Sequence, residues 1–203
     1  MSAVADITMT DTRSRIRAAA LSLIASRGYE AVSMRDIAER VGVRPSAIYN
    51  HFDGKQAILT DLMTGHMERT LGALFREVPA GDDPVDRLAA FVRFHVGYHL
   101  DEPQAVFVAY MELRSLSPEG RAAVGEMRDR YEHVLQGILR EGSASGAFRV
   151  ADPRLEARAL IAMMTGVTVW FSDDGSLSRA EVVERYVDIV LRSAGVNASR
   201  EEN

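Results

Sequence analysis

The sequence predicts an all-α protein, a small N-terminal three-helix unit joined by a long helix to a larger helical body. Three observations predict it. Apolar residues recur at the helical period along the chain, and no segment carries the alternation of a half-buried strand. Helix starts are marked by an acid or a serine followed by proline, at Asp83-Pro84, Ser117-Pro118 and Asp152-Pro153. Between Ser33 and Lys55 (SMRDIAERVGVRPSAIYNHFDGK), two short helical patterns flank a glycine turn.

Thr12–Arg27 is the first helix, with Ile16, Ala19, Ala20, Leu23 and Ile24 on one face and Gly28 as its stop. Tyr29 and Val32 pack its end onto the next pair of helices. Ser33 and Asp36 have capping-box spacing, and Met34, Ile37, Ala38 and Val41 recur at i, i+3, i+4 and i+7. Ala38 is small where a second helix crosses, and Gly42 takes the left-handed turn. Pro45 suits the first turn of the next helix, where its missing N–H has no partner in any case. Ile48 and Phe52 face inward, which turns Arg44, Ser46, Tyr49, Asn50 and His51 elsewhere. This is a helix-turn-helix whose second helix suits a major groove. Asp53 is the expected N-cap of the following helix. Gly54 and Lys55, the chain's one lysine, complete an anion-attracting helix start.

Lys55 to about Val78 forms the connecting helix, closed by Pro79-Ala80-Gly81. Further helices are expected from Pro84 to about Leu100, Pro103 to about Leu116, Pro118 to about Ser143 and Arg154 to about Phe171. A capping box, Ser178 with Glu181, opens the last one, which runs to Ala194 before Gly195. The organisation is therefore a flexible tail over 1–11, a helix-turn-helix domain over 12–55, a ligand-binding and dimerisation domain over 56–195, and a tail over 196–203.

With 47% hydrophobic and 26% charged residues the chain is an ordinary globule. It has no cysteine, which excludes disulfides, thiolate metal sites and a cysteine nucleophile. No apolar run reaches membrane-spanning length and the first residues lack a leader pattern, so a cytoplasmic, membrane-free protein is expected. The net charge is −5 overall, yet residues 11–55 carry eight basic groups against five acidic ones. A basic head on an acidic body confines attraction for phosphates to one end.

In the body, Phe91, His95, His99, Phe107 and Met111 are joined by Met163 and Trp170 as adaptable apolar surface, a set suited to a hydrophobic effector with a polar end. His95 and His99 share a helix face, but no third ligand stands at metal-site spacing, so no metal is expected. Neither is a cofactor, because nucleophile elbows and phosphate loops are missing, and an enzyme is not expected. Ala159 and Ala162 allow a close helix approach. Val183, Tyr186, Val187 and Val190 belong to a final helix that is apolar over more than one face. A second copy is the expected cover, giving a homodimer.

The N-terminal quarter resembles the DNA-binding domain of the TetR family of transcriptional repressors. The resemblance rests on the helix at Arg15–Tyr29, then Ser33, Ile37-Ala38, Gly42-Val43, Tyr49, His51-Phe52 and Lys55. It implies that Ser33, Tyr49, His51 and Lys55 contact phosphates of a double-stranded DNA operator, and that Arg44, Pro45, Ser46 and Asn50 face bases. Pro45 and Asn50 depart from common family residues, so the half-site sequence does not carry over. The body loosely resembles members that sense acyl-CoA, through Trp170-Phe171 and Gly175-x-Leu177-Ser178. Where that subgroup has an arginine for the CoA phosphates, this chain has Gly166, and Arg93, Arg114 or Arg121 are the substitutes. The implied fold is an N-terminal helix-turn-helix domain and a C-terminal ligand-binding and dimerisation domain. The implied function is a dimeric repressor released by a hydrophobic effector. The competing reading is an all-helical lipid- or acyl-binding module that never meets DNA.

Overall fold

The computed structural model describes residues 12–78, 81 and 83–196, among which all regular structure is helical. The helices are α1 (Thr12–Arg27), α2 (Met34–Val41), α3 (Pro45–Tyr49), α4 (Lys55–Glu77), α5 (Pro84–Asp101), α6 (Pro103–Met111), α7 (Pro118–Ala144), α8 (Pro153–Thr165), α9 (Val167–Trp170) and α10 (Arg179–Ser193). Residues 1–11 and 197–203, expected as tails, lie outside the described residues, as do Pro79 and Ala80. Val196, placed in the second tail by sequence, instead packs against the core and donates its N–H to the Leu191 carbonyl at 2.9 Å.

Local chemistry sets the helix starts. Ser33 and Asp36 form a reciprocal capping box, as do Ser178 and Glu181, and Asp83 and Asp152 accept from amides of their first turns. Gly42 closes α2 at φ 77°, a left-handed turn open to glycine at little cost. The Asp53 cap does not form. Gly54 is the N-cap of α4 and no side chain caps it.

Tertiary contacts broke two expected helices. The one from Pro103 stops at Met111, and a 3-10 turn covers Leu113–Ser115. There the Glu112 carboxylate accepts the Tyr29 N–H at 3.0 Å and the Ser115 hydroxyl at 2.8 Å, tying the chain to the head. The one expected to reach Phe171 breaks at Gly166, between α8 and α9. The β-branched run of Thr165, Val167, Thr168 and Val169 favours helix weakly, and Thr165 is drawn into side-chain bonds inside the body.

Two apolar cores organise the chain. The first joins Ile16, Leu23 and Ile24 of α1 to Ile37, Val41, Ile48 and Phe52. It also includes Ile58, Leu59 and Met63 of α4, and Val108, Leu116 and Val124 from the body. A boundary at residue 55 therefore cuts a continuous packed unit. The second core holds Leu74, Phe91, Leu135, Ile138, Met164 and the inner face of α10. Helix α4 contributes to both cores, which makes it the mechanical link between the ends of the molecule.

Close packing at one α7 glycine yields a signed prediction. A Cβ on Gly142 would lie 2.0 Å from the Phe148 ring, whereas one on Gly137 meets nothing within 4 Å. Helix propensity alone favours alanine at either position by about 0.5–1 kcal/mol. Gly137→Ala is therefore expected to raise the urea midpoint. Gly142→Ala is expected to lower stability by about 1–3 kcal/mol, because the core must shift. Equal effects of the two substitutions would refute this packing.

Candidate nucleic-acid interface and effector cavity

The head presents a short polar ridge. Ile48 is fully buried and Phe52 is 4% exposed, so α3 is pinned from beneath. Arg44, Pro45, Ser46, Tyr49 and Asn50 are all exposed along it, and His51 is half-buried. Tyr49 leaves 55% of its surface open, a large aromatic group with no apolar cover. Arg44 is the N-cap residue of α3 and Asn50 its C-cap, so the ridge runs the whole length of this five-residue helix.

Two expected phosphate contacts are engaged within the chain. The Ser33 hydroxyl bonds Asp36 inside the capping box. Lys55 turns back onto Tyr29, its Nζ donating to the Tyr29 carbonyl at 2.8 Å and sitting 4.1 Å from the ring centroid. Sequence could not reveal this, because Tyr29 is 26 residues away. The uncapped amides of α4 remain beside Lys55 as donors for an anion.

A polar latch ties this head to the body. Gln56 Nε2 donates to the Tyr29 hydroxyl at 2.8 Å and to the Ser115 carbonyl at 2.7 Å, and Gln56 Oε1 accepts the Ser117 N–H at 2.9 Å. With Glu112 on the Tyr29 amide, the α6–α7 connection grips both sides of Tyr29.

Inside the body lies a cavity of about 70 Å³, walled by five helices. His66, Met67 and Thr70 come from α4, His95 and His99 from α5, and Ala109 and Tyr110 from α6. Val124, Arg128, Tyr131 and Glu132 of α7 and Ile161 of α8 complete it. His95 and His99 stack with centroids 3.9 Å apart. His95 Nδ1 lies 2.8 Å from the Tyr131 hydroxyl and its Nε2 lies 3.1 Å from Thr165 Oγ1, which is 2.9 Å from the Tyr110 hydroxyl.

Burial keeps these rings neutral. It lowers His66 to about 4, with the Arg69 charge adding to it. It lowers His99 to about 3, helped by His66 and partly opposed by the His95 backbone. His95, fully buried and beside His99, falls well below the ordinary value, and the enclosed Tyr131 phenol is pushed well above its own. Among the described residues no cluster of His, Cys, Asp or Glu forms a metal site.

Of the expected effector residues, only His95 and His99 line this cavity. Phe91 is fully buried behind it, 6.1 Å from His95. Phe107, Met111, Met163 and Trp170 are corrected to the surface, each at least 37% exposed, and Arg114 is exposed as well. On α6 the inner face is taken by Ala105, Val106, Val108 and Ala109, and on α8 the neighbouring Met164 turns inward in place of Met163. Sequence missed the α7 wall because nothing local says that α7 crosses both α4 and α5.

The dimer residues also divide. Tyr186, Val187 and Val190 are buried in the chain's own core and Val183 packs against it, so they are not a free face. The reason is that α10 lays its apolar side on α5. Ala159 and Ala162 are exposed, in a stripe with Leu155 and Met163 on α8, and Ile189 is exposed on α10.

Residues 16–62 match the family model described as bacterial regulatory proteins, tetR family, and residues 81–194 match one described as tetracyclin repressor-like, C-terminal domain. The HTH-type transcriptional repressor KstR2 of Rhodococcus jostii is 28% identical over 174 residues, 85% of either chain. A tetR-family regulatory protein from Rhodococcus RHA1, known as a crystal structure, superposes with a TM-score of 0.87 at 31% identity, covering 93% of this chain and 99% of its own. AibR, solved in complex with isovaleryl coenzyme A and operator DNA, superposes with a TM-score of 0.82 at 26% identity, covering 88% of this chain and 97% of its own.

Proposed function

The chain belongs to the tetR family of bacterial regulatory proteins, and from that premise we propose a dimeric repressor that binds a palindromic operator and is released when a hydrophobic effector enters the cavity. As a member it is a DNA-binding transcriptional regulator and not an enzyme. The observation that carries the proposal is the exposed ridge from Arg44 to Asn50, fixed by buried Ile48 and Phe52, at the far end of the helix that also walls the cavity.

The ridge divides into two roles. Arg44, Pro45, Ser46 and Asn50 face base edges, where a side-chain contact discriminates by about 1–3 kcal/mol. Tyr49, His51, Ser33 and Lys55 with its neighbouring amides hold the backbone on either side. Asn50→Ala is expected to relax sequence preference at one base pair by about 1–3 kcal/mol. Lys55→Ala is expected to weaken all duplexes alike, since it loosens Tyr29 and removes a cation together. Titration of a duplex panel by gel shift checks both, and a change of sequence preference in Lys55→Ala would reverse the assignment.

The dimer face is the outward stripe of α8, Leu155, Ala159, Ala162 and Met163, with Ile189 of α10. Small residues let two copies approach closely. Two heads then address half-sites about 34–36 Å apart, or a multiple of that.

Release follows from volume. A cavity of about 70 Å³ has room for a few waters, against roughly 300–1,000 Å³ for ordinary ligand pockets. An effector therefore enters only by moving the walls, and α4 is one of them. Coupling of about 1–3 kcal/mol is the usual scale for such a link. Acyl-CoA is the favoured effector class: AibR was solved with isovaleryl coenzyme A. A smaller aromatic or lipid-like molecule is the runner-up. Selection of duplexes from a random pool at moderate salt tests the whole. Recovery of a two-fold symmetric site supports a repressor, and the absence of any preferred sequence leaves only a binding module.

A further inference from the structure

We infer that the inner end of the cavity is built for an uncharged oxygen, a hydroxyl or a keto group, carried by the effector. This rests on the effector reading above and adds what the ligand must bear.

The hydrogen count carries it. Tyr131, His95, Thr165 and Tyr110 form a chain of three contacts. Each of the four neutral groups brings one donor hydrogen, so one hydrogen is left over whichever way the chain runs. If Tyr131 donates to His95 Nδ1, then His95 Nε2–H donates to Thr165 and Thr165 to Tyr110, leaving the Tyr110 O–H free. Run the other way, the free O–H is that of Tyr131. Where the chain runs in one direction, the spare donor belongs to a tyrosine that lines the cavity; where Thr165 accepts from both neighbours, its own O–H, set between them, is the spare one.

A second observation points the same way. His66 and His99, each 4% exposed, line the same cavity, and the Nδ1 of each has no hydrogen-bond partner. Buried polar capacity beyond what the chain satisfies is costly, and a guest that supplies oxygen relieves it. An uncharged group suits the three neutral, buried rings, beside which a carboxylate would lose its water. On the wall Glu132 is paired with Arg158 at 2.9 Å and the Arg128 guanidinium lies over the Tyr110 ring.

Butanoyl-, octanoyl- and dodecanoyl-CoA, each ended by a methyl, a hydroxyl or a carboxylate, separate the possibilities on the unaltered full-length dimer by calorimetry. At one length the hydroxyl-ended thioester is expected to bind about tenfold or more tighter than its methyl-ended partner. Replacing both tyrosines by phenylalanine (Tyr110→Phe with Tyr131→Phe) is expected to remove that preference. Preference for the methyl or the carboxylate end in the unaltered protein overturns the inference. Should no thioester bind, the acyl-CoA reading fails by itself. Phenol, toluene and benzoate, compared by ligand-observed NMR, then judge the cavity: phenol ahead of both supports the oxygen site, and any other order, or no binding, overturns it.

Discussion

Glutamate at Ile189, or at Ala162, is expected to convert the protein into folded monomers that lose about 10²–10⁴-fold in operator affinity, the advantage of joining two heads on one site. Both residues are exposed in the single chain, Ile189 at 40%, so an added carboxylate meets water there unless a second copy covers it. A buried unpaired charge between two copies would be expensive enough to part them. Val187→Glu is the informative contrast. That side chain is 4% exposed within the chain's own core, so its replacement is expected to unfold the protein rather than to give a folded monomer. Sedimentation velocity with far-ultraviolet dichroism distinguishes the two outcomes. A dimer with full operator affinity in Ile189→Glu and Ala162→Glu would rule out this face.

Stability is expected to fall steeply as pH drops from about 6.5 toward 5. The unfolded chain's histidines titrate near 6.5. Folded His66 is held down at about 4 and His99 at about 3, while His95 also lies well below its ordinary value. Between these limits the unfolded state binds protons that the native state refuses, so stability is complete above about 6.5 and declines as pH falls. At pH 5.5 His66 and His99 each cost on the order of 1 kcal/mol and His95 adds in the same direction, a large loss against a total of roughly 5–15 kcal/mol. Carboxylates lowered by their partners, Asp61 by Arg17 and Arg13 against burial, and Glu184 by Arg93, add their loss only at more acid pH. Urea denaturation at pH 7.5 and 5.5 reads the difference directly. Substituting His99→Gln is expected to flatten the slope, and a stability unchanged between the two pH values would mean that the cavity rings are solvated.

The helix-turn-helix was legible because everything that builds it is local. The capping boxes at Ser33 and Ser178, the left-handed Gly42 and the inward pair Ile48 and Phe52 each act within a turn or two of chain, and all stand in the structure as the sequence implied. Period alone also identified the apolar face of α1. Asp53 shows the limit even of local rules, since Gly54 took the cap position.

The sequence by itself determined that the chain is helical, where most helices start, and which side of the head is left polar, but not where α6 and α8 end. Only the tertiary structure decided which apolar faces meet. A helical period states that Tyr186, Val187 and Val190 share a face, but not that α5 covers it in place of a second copy. Nor does it state that Phe107 and Trp170 stay outside while Arg128 and Tyr131 of α7 close the cavity. The same holds for Lys55, whose partner Tyr29 lies 26 residues back along the chain. Capping and periodicity are set by neighbours within a turn. Burial is non-directional and takes whichever surface the whole fold brings near, so spacing marks the face that is buried but not the element that covers it.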